Sequence, residues 1–158
     1  MRTTLKPFFV TVALVAMCAT ATGQESPQDQ LAAAEATWAK NKPHAYEFSL
    51  KLLACLVCKL TGPGSEPYEF HVENDFSYLI GAWAARPPQD NHGMDKNSTI
   101  DKVFSAIHEE LAKWHDYRFE IEYDPALGYP RRVYFKRFQN AADDDYTITI
   151  EGFKVLVR

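Results

Sequence analysis

Residues 117–138, YRFEIEYDPALGYPRRVYFKRF, constrain the fold of this chain more than any other segment. Tyr117, Phe119, Ile121 and Tyr123 alternate with Arg118, Glu120 and Glu122, the period of two that a strand shows when one face meets a core and the other meets water. Asp124-Pro125 and Gly128 come next, a proline that presets φ for a turn and a glycine free to take positive φ. A second strand over residues 132–138 completes a β-hairpin. A hairpin is architecture rather than reaction chemistry, so the segment predicts antiparallel sheet and assigns no activity.

The flanking sequence extends that layer. Ser26-Pro27 with Asp29 reads as a helix cap, a proline at the first helical position and an acid at the positive helix end. Leu31, Ala34 and Trp38 recur at helical spacing, which predicts a helix over 27–40. Tyr46, Phe48, Leu50 and Leu52 alternate with polar residues as a first strand, Tyr68, Phe70 and Val72 as a second, and residues 78–83, apolar on both faces, read as a third. Residues 86–97, RPPQDNHGMDKN, read as the main surface loop. Ser98 or Thr99 then caps a helix whose Ile100, Val103, Phe104, Ile107, Leu111 and Trp114 form one apolar stripe. After the hairpin, Tyr146, Ile148 and Ile150, then Phe153 and Val155, supply the last strand residues. The predicted fold is α+β: an antiparallel sheet of about six strands with two helices on one face, in the order α-β-β-β-α-β-β-β. HAYEFSL after Trp38 and HDYRFEI after Trp114 make the halves look like two weak repeats. Such a sheet can leave its other face open to solvent or to a partner.

The runs TIDKVF at 99–104, IEYDPALGYP at 121–130 and ADDDYTITIEGF at 142–153, with WAKNKPHAYEFSLKLLACLVC at 38–58, resemble secreted bacterial proteins grouped as domain-of-unknown-function family 6174. The YDPxLGYP element is the specific part of the likeness. The resemblance implies an exported α+β domain of unassigned activity. The chain departs from that family's pattern at Cys55 and Cys58, which have two residues between them where the family usually has one.

The beginning of the sequence agrees with export. Arg2 and Lys6 precede an apolar run over 8–18 and small residues over 19–23, the order of a secretory signal peptide. Eleven apolar residues are too few to span a bilayer. Cleavage after Gly23 leaves residues 24–158 as a single domain, and cleavage after Ala21 is the near alternative. A lipid on Cys18 is disfavoured because Met17 stands where a small residue is expected. Loss of residues 1–23 leaves 135 of 158 and removes two bases and no acid, so 15 bases face 21 acids and the net charge moves from −4 to −6. A nucleic-acid partner is therefore not expected, because binding one needs a basic face. The mature chain holds no second apolar run long enough to cross a membrane.

Few residues carry chemistry. Cys55 and Cys58 are the cysteines left after cleavage, and an oxidising compartment favours a disulfide between them. Residues three apart on an extended strand lie about 10 Å from each other, while a disulfide needs Cα atoms within about 7 Å, so the strand must bend by Ala54. The alternative is a thiol–disulfide redox protein using the same pair, which would need a helix to start there; Lys59-Leu60-Thr61-Gly62-Pro63-Gly64 does not form one. The histidines at 44, 71, 92, 108 and 115 show no metal-ligand spacing, and no nucleophile elbow, phosphate loop or dinucleotide fingerprint is present, so no metal or cofactor is expected. Asp143-Asp144-Asp145 reads as a solvated turn in preference to a calcium site, and Asn97-Ser98-Thr99 as helix capping in preference to a glycan acceptor. Aromatics make 13% of the chain, which fits a core of Phe and Tyr and leaves Trp83 and Tyr134, with His92 of the long loop, as candidate contacts for a protein or envelope partner.

Overall fold

Helix α1 (Pro27–Asn41) starts where its cap predicts: Ser26 Oγ accepts from Asp29 N at 3.1 Å and donates to Asp29 Oδ2 at 2.7 Å. The computed structural model describes residues 26–55, 59–60, 67–85, 94–113, 117–137 and 145–157. After α1 come β1 (Ala45–Cys55), β2 (Lys59–Leu60), β3 (Tyr68–Glu73), β4 (Phe76–Leu79), the one-turn helix α2 (Ala82–Ala85) and a 3₁₀ turn over Asp95–Asn97. Helix α3 (Ile100–Lys113), β5 (Tyr117–Tyr123), β6 (Pro130–Arg137) and β7 (Asp145–Val155) complete the order. Every pairing is antiparallel, the sheet runs β4-β3-β1-β7-β6-β5, and β2 folds back on the end of β1. The two long helices and the six-strand path match the order read from the sequence.

Two local features were not read from the sequence, and each has a physical cause. The third strand begins at Phe76 and ends at Leu79, instead of spanning 78–83. Asn74 and Asp75, at φ 50° and 68°, make a two-residue hairpin turn that starts it early, and Gly81 at φ 64° ends it before α2. In β7, Tyr46 pairs with Val155 and Ser49 with Glu151, so Gly152 and Phe153 together oppose Phe48. That is a bulge with glycine in the left-handed region. It shifts the strand's phase, so that Ile148, Ile150 and Phe153 all meet the core.

The core lies between the sheet and the helices α1 and α3. Tyr46, Phe48, Leu50, Phe70, Val72, Val133, Phe135, Ile148 and Ile150 meet Leu31, Ala34 and Trp38 of α1 and Ile100, Val103, Phe104 and Ile107 of α3. Most of the aromatic content sits here. Tyr129 stacks on Phe153 at 4.3 Å, Phe153 on Tyr46 at 5.2 Å and Phe48 on Phe70 at 5.3 Å, while Trp38 meets Tyr46 edge-on at 5.5 Å. The residues before α3 are packed rather than loose: Met94, Asn97, Ser98 and Thr99 are buried, and Thr99 Oγ1 accepts from Lys102 N at 3.2 Å as the cap. Asn97, 6% exposed, serves that packed corner. Residues 86–93 of the long loop lie outside the described residues.

Candidate functional site

The hairpin turn positions β5, one edge of the sheet. Asp124 Oδ1 accepts from Ala126 N at 3.0 Å and Leu127 N at 2.8 Å, Gly128 N donates to Asp124 O, and Asp124 N donates to Tyr129 O, both at 2.8 Å. Gly128, at φ 82°, brings the turn onto α1, and a Cβ there would stand 2.4 Å from Ala34 O and 2.9 Å from Trp38 N. Asn41 Nδ2 adds a bond to Ala126 O at 3.2 Å. The YDPxLGYP element therefore fixes where β5 lies against the first helix.

Between the outer side of β5 and the first turn of α1 runs a groove of about 340 Å³, lined by Pro27, Gln30, Phe119, Ile121 and Tyr123, with Glu120 and Glu122 along it. Phe119, Ile121 and Tyr123 are half-buried on the helix side of the strand, and Arg118, Glu120 and Glu122 are exposed on the other. The Tyr123 hydroxyl is buried and makes no hydrogen bond among the described residues. Burial, with the Glu35 carboxylate second, pushes this phenol up to about 12. A larger hollow of about 530 Å³ at the end of the sheet is lined by Pro43, His44, Ala45, Glu73, Asn74, Val155, Leu156 and Val157, so a mainly apolar wall carries a carboxylate and an amide at one side.

The uncovered face of the sheet is laced with ion pairs. Lys51–Glu151 lies at 2.7 Å, Arg118–Glu120 at 2.9 Å and Arg132–Glu122 at 3.7 Å, and beside them His71 Nδ1 lies 3.3 Å from Glu47 Oε1. At its β4 corner Phe76 and Tyr78 stand 69% and 58% exposed. Sequence reasoning missed Phe76, although the Asn74-Asp75 turn signal stood directly before it.

Of the residues singled out from the sequence, the described ones are not gathered in one place. Tyr134 is half-buried on the open face of β6, opposite Thr147 and Glu120. Trp83 belongs to α2, beyond β4 at the far edge, and His92 and Cys58 lie outside the described residues. Cys55 is the last residue of β1, one past the bend expected at Ala54. Ala54 pairs with Lys59 of β2, and residues 56–58 lie outside the described residues. Asp145 opens β7 opposite Cys55, while Asp143 and Asp144 fall outside the described residues. Among the described residues no three His, Cys, Asp or Glu side chains are grouped to hold a metal. His108 is exposed but not solitary, since its Nε2 lies 2.7 Å from Glu35 Oε1 and ties α3 to α1.

A family model matches residues 30–155, from the first turns of α1 to the last residue of β7. The chain belongs to the family of unknown function DUF6174. No curated protein and no solved structure matches it. In this member of DUF6174 the YDPxLGYP element is a turn docked on α1. No helix among the described residues is long and apolar enough to cross a membrane.

Proposed function

We propose that the mature chain, residues 24–158, is a secreted or periplasmic, non-catalytic module that binds a protein or envelope component on the uncovered side of its sheet. One observation carries this reading: both long helices cover one face, while Phe76 and Tyr78 stand exposed on the other. Aromatic side chains in such a place bring large contact area at low entropic cost. A Cys55–Cys58 disulfide closes the β1–β2 reversal in this reading. Its support is that Lys59–Leu60 is strand, so the helix that would activate a thiol does not begin there.

Recovery of partners from an envelope fraction tests the reading, comparing the mature protein with Phe76→Ala/Tyr78→Ala and with Trp83→Ala/Tyr134→Ala. Loss of one recovered species in the first variant supports it, and an identical set from all three proteins overturns it. The mass of the exported chain separates cleavage after Gly23 from a lipid on Cys18. Thiol titration in denaturant finds no free thiol if the bridge forms.

A further inference from the structure

We infer that β4 pairs with β4 of a second copy of this chain, antiparallel about a two-fold axis at Tyr78, so that two sheets join edge to edge in a weak dimer. This rests on the reading of Phe76 and Tyr78 as a protein contact and adds to it the strand edge beside them.

The backbone directions come first. Successive residues of a strand point their N–H and C=O groups toward opposite neighbours. Ile80 N donates to Glu69 O of β3 at 2.9 Å, and Phe76 stands opposite Glu73 across the two-residue turn, so Phe76, Tyr78 and Ile80 bond toward β3. Ser77 and Leu79 therefore point outward. β4 ends the strand path, and neither residue has a further partner among the described residues. Unpaired edge groups of this kind are a template for another strand.

The side chains select a second copy. β4 reads Phe-Ser-Tyr-Leu and carries no charge, whereas β5 at the other edge carries Arg118, Glu120 and Glu122, the kind of residue that keeps an edge from pairing. Ser77 and Leu79 are equally spaced about Tyr78. A two-fold axis there sets Ser77 against Leu79 of the second copy and Leu79 against its Ser77, which satisfies the outward groups of both strands at once. Tyr78 then faces Tyr78 in the closer type of cross-strand pair, with Phe76 on the diagonal, and aromatic pairs of this kind stabilise a sheet. No like charges meet in this register, since the turn residue Asp75 is already paired with Lys42.

The size of the contact sets its strength. Phe76 and Tyr78 are 69% and 58% exposed, so at about 150–250 Å² per ring the two copies bring about 400–600 Å² of aromatic surface to the seam. That is below the roughly 1,000 Å² of a stable interface, so the dimer is half-formed only between about 0.01 and 1 mM. The open faces of the two sheets become one surface, with the four rings at its centre.

Sedimentation equilibrium of the mature protein tests the inference. The weight-average mass is expected to rise toward twice that of one chain between about 0.01 and 1 mM, and the Ser77 and Leu79 amide signals to shift with concentration. Ser77→Pro removes an outward N–H where an edge strand tolerates proline, and should weaken association at least about tenfold. Tyr78→Lys and Tyr78→Glu, at an exposed position, should each stay monomeric alone, and their equimolar mixture should regain the dimer mass, because the axis sets the two new charges directly opposite. That pair decides the matter if Ser77→Pro fails to fold. A monomer at about 1 mM, a mixture that does not associate, or concentration-dependent shifts confined to β5 would overturn the inference. Ser77→Pro keeps Phe76 and Tyr78 and should recover the same envelope species as the unmodified protein. A monomer that still loses an envelope species on Phe76→Ala/Tyr78→Ala ends the inference and keeps the wider reading, and a dimer with unchanged envelope recovery does the reverse.

Discussion

Gly128 and Gly152 both take positive φ, yet their surroundings differ. At Gly128 an added Cβ meets main-chain atoms of α1 at 2.4 and 2.9 Å, whereas at Gly152 the nearest atom is Ser49 Oγ at 3.6 Å. Gly152→Ala should therefore cost only the left-handed conformation, about 1 kcal/mol, while Gly128→Ala should cost at least about 2 kcal/mol more because the turn must leave the helix. Thermal unfolding of the two variants checks this, and equal losses would remove the docking role given to Gly128. Tyr123 gives the opposite sign. Its hydroxyl is buried with no hydrogen bond among the described residues, so Tyr123→Phe should raise the stability of the free protein, by up to about 1 kcal/mol. A lower midpoint in urea would mean that the hydroxyl has a partner after all.

Among the elements, α1 and α3 are joined by a polar latch at one end of the core. Trp38 Nε1 donates to Asp101 Oδ1 at 3.3 Å, Lys42 Nζ lies 2.8 Å from Asp101 Oδ2 and also reaches Asp75, and Ile100 N donates to the Tyr46 hydroxyl at 3.3 Å. Asp101 thus serves an indole and an ammonium at once, while Asp75 is an exposed turn residue. Asp101→Ala should cost about 1–2 kcal/mol and Asp75→Asn less than about 0.5 kcal/mol, measured by denaturant unfolding. Comparable losses would show that the latch is held by the turn instead. Elements of this kind were legible wherever side-chain period and cap chemistry agreed: Ser26 and Thr99 cap the helices, and of the α3 stripe Ile100, Val103, Phe104 and Ile107 are buried and Leu111 partly so, while Trp114 lies outside the described residues. The limits of β4 were missed, because the run over 78–83 is apolar on both faces and drew the strand past the Asn74-Asp75 turn that starts it. The latch was not legible either, since Trp38 and Asp101 are 63 residues apart and only the packed helices bring them together.

The groove beside β5 belongs to the whole molecule. Phe119, Ile121 and Tyr123 were readable as one strand face, but no pattern along the chain says that the start of α1 crosses above them. Burial across the core also sets the behaviour of the molecule in alkali. Burial raises the phenols of Tyr46, Tyr68, Tyr123 and Tyr129 above their ordinary range, with Tyr123 at about 12. Lys42 is raised as well: burial alone would lower it, and the bonds to Asp101 and Asp75 outweigh that. Each of these groups holds its proton more tightly folded than unfolded. Its contribution to stability is therefore complete below the unfolded value, about 10, and is lost as pH rises through the folded one. The unfolding temperature should fall as pH rises above about 10, and tyrosinate absorbance should appear in part only as the protein unfolds. In Tyr123→Phe the fall should be shallower, because one of the contributing phenols is gone. Full tyrosine titration near pH 10 in a protein that stays folded would contradict the burial of these four rings and, with it, the core that holds β5 in place.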